Sequence, residues 1–130
     1  MKYIIDTSFF IALMIPNDTN HEKAKKILSE KQILHSDVIF NNFIIEEVFT
    51  VLTYKWWREI SKWFYKLLNV FNIIFPSTGI YQYIEFYNNF DIKISFADMS
   101  IIYDWLKHNC ELITFDKQQE KIFLKFRDKL

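Results

Sequence analysis

The chain has one glycine, two prolines and one cysteine among its 130 residues, and 16 acidic side chains offset its 16 basic ones. Each shortage excludes something. The lone Cys110 cannot build an intramolecular disulfide framework or a cysteine-rich zinc site. No Gly-, Pro- or Ser-rich linker, low-complexity tract or internal repeat divides the chain, so residues 1–130 are expected to form one domain. Zero net charge argues against a protein that coats nucleic acid by bulk attraction. Residues 1–65 and 66–130 are each balanced at 8 basic against 8 acidic groups, so neither half is a charged tail. No apolar run approaches the roughly 18 residues that span a bilayer. Asp6 interrupts the apolar start before it could act as a secretory leader, so the expected compartment is the cytoplasm, with no membrane partner. His21, His35 and His108 share no metal-like spacing and read as surface or structural residues.

What is present is apolar. Hydrophobic residues make up 51% and aromatic ones 19%, enough to exclude an intrinsically disordered chain. Lys2–Asp6 reads as a short apolar strand ending in an acid, followed by an apolar helical run from Phe9 to Ile15 that Pro16 stops. Thr19 with Glu22 forms a capping-box pattern for a helix through Ser29. Ile33–Ser36 reads as a second strand, and Asn41 or Asn42 as the cap of a helix reaching about Tyr54. A separate amphipathic helix is expected from Lys55 to Asn69, with Trp56, Ile60, Trp63, Phe64, Leu67 and Leu68 on its apolar face. Asn72–Phe75 is a third strand, and Ser77 or Thr78 starts a helix through Tyr87. Ser95 caps a helix to about Asn109, Glu111–Thr114 is a fourth strand, and a last helix covers Lys117 to Lys125. Cys110, at the start of that fourth strand, reads as a small buried residue. Strands alternating with helices imply a parallel sheet covered on both faces, with ligands at the C-terminal edge of its strands.

Acids collect at that edge. Asp6 ends the first strand, Asp116 follows the fourth, and Asp98 lies in the first turn of the helix capped by Ser95. A glutamate of the helix after the second strand, Glu46 or Glu47, can reach the same edge; spacing alone leaves either open. Carboxylates brought together resist ionising together, a cost that a cation removes. Oxygen-only ligands favour Mg²⁺ or Mn²⁺ over zinc or copper, and such ions promote attack of water on phosphorus. The plainer reading of Asp98 and Asp116 is attraction to helix N-termini, about 0.3–1 kcal/mol each. Asp6 is harder to explain that way, because it interrupts an apolar segment.

Four segments then carry a resemblance: Ile4-Ile5-Asp6-Thr7-Ser8, Glu47-Val48-Phe49-Thr50-Val51-Leu52, Ser95-Phe96-Ala97-Asp98 and Thr114-Phe115-Asp116. In order and over nearly the whole chain, they resemble the motifs of PIN-domain nucleases, in particular the short VapC-like toxins of toxin–antitoxin pairs. The resemblance implies a three-layer α/β/α sandwich around a mostly parallel sheet of four to five strands. It implies that Asp6, Glu47, Asp98 and Asp116 are the catalytic acids and hold Mg²⁺ or Mn²⁺. Glu47 rather than Glu46 matches, because Val48, Phe49 and Leu52 follow it. Ser8 and Thr114 match hydroxyls that support the acids. The chain departs after Asp116, where Lys117, Gln118 and Gln119 replace a further acid and an aromatic. The implied activity is endonucleolytic cleavage of RNA leaving a 5′-phosphate, by a homodimer that a small antitoxin protein neutralises.

Two basic groups are candidate RNA contacts. Lys55, Arg58, Lys62 and Lys66 share a helical face, which reads first as a solvated face and secondly as a phosphate-contacting stripe. Lys117, Lys121, Lys125, Arg127 and Lys129 form the second group, and Lys117 is the better placed because it adjoins Asp116. Trp56, Trp57 and Trp63 suggest an interface on their helix. Three alternatives remain. A phosphoaspartyl phosphatase would need a second acid where Ser8 stands. A non-catalytic PIN-like binding module would have no need of four acids. A housekeeping RNA-processing nuclease would share the same site. If the four acids share one site, 12 acids remain against 16 basic groups, and the rest of the surface carries +4. Neutrality is then a cancellation between an acidic pocket and a mildly basic exterior.

Overall fold

Tyr3, Ile4 and Ile5 are all buried, and consecutive strand residues point to opposite faces, so the first strand is covered on both sides. The structure, a computed structural model, describes residues 1–127, without the side chains of Lys55, Trp56, Trp57, Arg58 and Ile60. Readings that rest on those side chains, and on Lys129, therefore lie outside the described residues.

Strands β1 (Lys2–Ile5), β2 (Asp37–Ile39), β3 (Asn72–Ile74) and β4 (Glu111–Ile113) form one sheet in the order β3-β2-β1-β4, and every pairing is parallel. Val38 and Ile39 are fully buried, as expected of an inner strand with helices on either side. The chain builds outward from β1 to β3 and then crosses back to place β4 on the other side of β1. Strand order therefore reverses beside β1, and a parallel sheet opens a ligand crevice at such a point.

Helices α1 (Thr7–Met14) and α2 (His21–Glu30) join β1 to β2, and α3 (Asn42–Val70) joins β2 to β3. Helices α4 (Ile80–Asn88) and α5 (Phe96–His108) precede β4, and α6 (Lys117–Arg127) follows it. An aromatic cluster centred on Phe10 binds these layers. Its ring meets Phe40 at 4.7 Å, Phe64 at 5.8 Å and Phe71 at 5.9 Å, each in an edge-to-face arrangement.

Several boundaries differ from the sequence reading, each for a local reason. Ile33–His35 is a 3₁₀ turn rather than a strand. Gln32 enters it with a left-handed backbone (φ 50°), and pairing with β1 begins only at Asp37, opposite Lys2. The buried strand is Val38–Ile39, whose uninterrupted apolar run lacks the alternation that marks a half-exposed strand. The two helices expected on either side of Tyr54 are one helix of 29 residues. No glycine or proline interrupts it, and Thr50 and Thr53 turn their hydroxyls back onto its own carbonyls, at 2.8 Å (Glu46) and 3.2 Å (Thr50). The Thr19–Glu22 capping box does not form; Asp18 Oδ1 accepts from the Asn20 amide at 2.8 Å and α2 begins at His21. Helix α4 starts at Ile80, not at Ser77 or Thr78, and the Gln82 side chain accepts from the Gly79 amide at 2.8 Å.

A buried polar knot holds the two longest helices in register. Asn41 caps α3, its Oδ1 accepting from the Ile44 amide at 3.0 Å. Its Nδ2 donates to Ser100 Oγ at 3.0 Å and to Asp104 Oδ2 at 2.8 Å, both on α5. Asp104 is fully buried, and the Tyr83 hydroxyl of α4 bonds to it at 2.7 Å. Burial raises the Asp104 pKa, while bonds from Asn41 and Tyr83 draw it back down. Removing this carboxylate leaves buried donors unpaired. Asp104→Ala is expected to lower stability by about 3 kcal/mol, read as a fall in the urea midpoint. An unchanged midpoint would show that the knot is dispensable.

Candidate active site

The carboxylate of Asp6 is only 3% exposed, which is costly for an acid unless its oxygens are bonded. Asp6 occupies the N-cap position of α1 yet makes no side-chain cap bond. Its charge is met instead by two hydroxyls. Ser8 Oγ and Thr114 Oγ1 each donate to Asp6 Oδ2 at 2.7 Å. Both hydroxyls also accept: Ser8 Oγ from the Phe115 amide at 3.0 Å, and Thr114 Oγ1 from the Asp116 amide at 2.9 Å. With both hydroxyl protons committed to Asp6, the 3.2 Å approach of Ser8 and Thr114 is a contact between acceptors. Together they tie the end of β1 to the loop after β4. The described bonds to the Asp6 carboxylate both end on Oδ2.

Asp116 lies three residues past β4, the strand that pairs with β1. Its Oδ1 accepts from the amides of Gln118 and Gln119, at 2.9 and 3.2 Å, so it does cap α6 as the plainer reading holds. Neither of these bonds uses Oδ2. Asp98 is in the first turn of α5, where the Ser95 hydroxyl accepts from its amide at 3.1 Å. The Glu46–Glu47 ambiguity resolves on burial: Glu46 is exposed, whereas Glu47 is partly buried beside fully buried Val48.

Electrostatics join the four acids. Burial, chiefly, pushes Asp98 up to about 6; Asp6, Glu47 and Asp116 add to the rise and the Ser95 hydroxyl opposes it. Glu47 is likewise raised, first by burial and then by Asp6 and Asp116, while Thr7 lowers it. Thr7 Oγ1 is buried without a bond of ordinary geometry, so its help to Glu47 acts at longer range. Among the described residues, no three His, Cys, Asp or Glu side chains already converge into a cage for an ion. The two observations are compatible, because like charges influence one another across distances longer than metal–oxygen bonds. The donor set itself consists of carboxylate and hydroxyl oxygens, which suits Mg²⁺ or Mn²⁺.

The sequence reading missed Thr7, Gln119 and the Asn41–Asp104 pair as residues supporting this edge. Asn41 was legible as a possible cap; the others gave no spacing signal. Of the basic candidates, Lys62, Lys117 and Lys121 are exposed, and Lys66 lies over the Trp63 ring at 5.7 Å. Lys117 adjoins the acids, whereas Lys62 belongs to the distal half of α3.

Comparison with known proteins agrees with this fold. A family model described as PIN domain matches residues 3–123. VapC20 of Mycobacterium tuberculosis, described as a sarcin–ricin loop cleaving toxin, has 21% identity and a TM-score of 0.75 over 92% of this chain and 94% of its own. VapBC2 of Rickettsia felis, solved with a promoter DNA fragment, has 14% identity and a TM-score of 0.68, covering 93% and 92%. PAE2754 of Pyrobaculum aerophilum has 15% identity and a TM-score of 0.64, covering 98% and 90%. No curated protein matches the sequence.

The raised acid makes a prediction for the metal-free protein. An acid whose pKa rises on folding favours the folded state below its unfolded value and loses that advantage as pH climbs through the folded one. For Asp98 that window runs from 3.8 to about 6. Asp98→Asn should therefore melt higher than the parent chain in EDTA at pH 7.5, by about 1 kcal/mol after discounting for partial exposure. The advantage should vanish near pH 4. A lower melting temperature at pH 7.5 would rule out electrostatic crowding at Asp98.

Proposed function

The chain belongs to the PIN-domain family, and on that premise we propose that it is a divalent-metal-dependent endoribonuclease acting as a VapC-like toxin. The observation that carries the reading is electrostatic. Burial raises the Asp98 pKa, and Asp6, Glu47 and Asp116, from three other segments of the chain, add to the rise. A fold rarely keeps such repulsion unless a cation relieves it.

In this reading Asp6, Glu47, Asp98 and Asp116 hold Mg²⁺ or Mn²⁺. When bound, such an ion supplies a more acidic water and offsets the negative charge that develops on phosphorus. The protein's own residues do the positioning. Ser8 and Thr114 fix Asp6 through Oδ2 and leave its other oxygen clear of them. Asp116 divides its oxygens in the same way, with Oδ1 held by α6. A neighbouring positive charge would offset the burial that raises the pKa values of Glu47 and Asp98. Lys117 and Lys121, exposed on α6 beside Asp116, are placed to contact RNA phosphates. Lys62, in the distal half of α3, would be a separate contact.

Exposed Tyr54 and Tyr65, which share one face of α3, support an interface, for a second copy or for an antitoxin. Among the described residues no helix is long and apolar enough to cross a membrane. The test is cleavage of a structured RNA in Mg²⁺ by the parent chain and by Asp98→Asn. At least a 100-fold loss in the variant is expected. Equal cleavage by both, or no Mg²⁺- or Mn²⁺-dependent cleavage by the parent chain, would overturn the assignment.

A further inference from the structure

Gln119 lies one turn into α6, where its side chain is almost wholly enclosed, at 1% exposure. A long amide seldom occupies such a place, because burial strips water from both of its ends. Only one end is satisfied. Nε2 donates to the backbone carbonyl of Asp98 at 2.9 Å, whereas Oε1 is buried with no hydrogen-bond partner. The backbone amide of the same residue donates to Asp116 Oδ1 at 3.2 Å. One residue therefore bonds to both acid-bearing segments: the first turn of α5 through its side chain, and the loop before α6 through its main chain.

An unbranched apolar residue of similar size would fill this space without leaving a buried acceptor unpaired. The amide is thus a poor choice for stability alone, and its distinct contribution is the bond to Asp98. We propose that Gln119 is a positioning residue, whose amide clamps α5 to α6 and so sets the separation at which Asp98 and Asp116 present their carboxylates to a divalent ion. The inference rests on the reading of these acids as a metal site. It assigns the clamp to a position where the sequence looked like a departure from the expected pattern, just after Asp116. Outer residues that orient metal ligands typically change affinity 10- to 100-fold when altered.

The test uses Gln119→Met, which keeps length and volume but removes both the donor and the unpaired acceptor. Gln119→Leu serves as a second variant. Mn²⁺ affinity is measured by titration calorimetry on the full chain, and the urea midpoint is measured separately in EDTA. The expected result is about a 10-fold weaker Mn²⁺ affinity with a metal-free midpoint equal to or above that of the parent chain. Parent-like Mn²⁺ affinity in both variants would overturn the clamp while leaving the metal site standing. A markedly lower metal-free midpoint in both would make Gln119 a fold residue and would also overturn it. If the parent chain itself takes up no Mn²⁺, the metal-site reading falls and the clamp falls with it.

Discussion

The burial of one carboxylate constrains the rest of the structure. Asp6 follows the buried Tyr3, Ile4 and Ile5 of an inner strand, so nearly all its water is lost on folding. Two hydroxyls from opposite ends of the chain replace that water, Ser8 just after β1 and Thr114 just after β4. Each can donate to Asp6 only because a backbone amide holds it from the other side. The loop after β4 is consequently fixed against the end of β1, which in turn fixes where Asp116 stands. Parallel pairing of β1 with β4, in register from Tyr3–Glu111 to Ile5–Ile113, delivers both ends to the same place.

The other two acids arrive by a different route. Glu47 and Asp98 ride on helices, and a helix can slide or rotate on a sheet unless something stops it. The stop is polar and buried. Asn41 caps the helix bearing Glu47 and bonds to Ser100 and Asp104 on the helix bearing Asp98. Tyr83 adds α4 to the same carboxylate. Directional bonds fix register in a way that interchangeable apolar contacts do not. The Phe10 cluster supplies burial, and the Asn41–Asp104 knot supplies alignment.

Charge placement shows how a neutral chain can carry locally opposite surfaces. Burial, with neighbouring acids adding to it, raises the pKa of Glu47 and Asp98, whereas Lys62, Lys117 and Lys121 lie exposed. A cation in the pocket would remove the repulsion at its source and leave a basic surround. Net charge alone reports neither the pocket nor the surround.

Most of the sheet was legible in the residues. Alternating short apolar runs and helical periodicities marked four strands and a parallel sheet, and Asp6 declared itself by interrupting an apolar strand. Ser95 and Asn41 were readable as caps because capping chemistry is local. Val38–Ile39 was not read as the second strand, since a strand buried on both faces has no alternation to detect. Nor could local pattern tell that α3 runs unbroken through Tyr54. The choice of Glu47 over Glu46 depended on which side of α3 the core lies, although the motif resemblance had selected the same residue. The Thr114–Asp6, Asn41–Asp104 and Gln119–Asp98 bonds join residues between 21 and 108 positions apart. The sequence by itself marked the first, third and fourth strands and the acids next to the first and fourth, because those signals lie within a few residues. Tertiary structure alone decided how the acids face one another, because strand order and helix register bring distant segments together, and only then do burial and repulsion act on them.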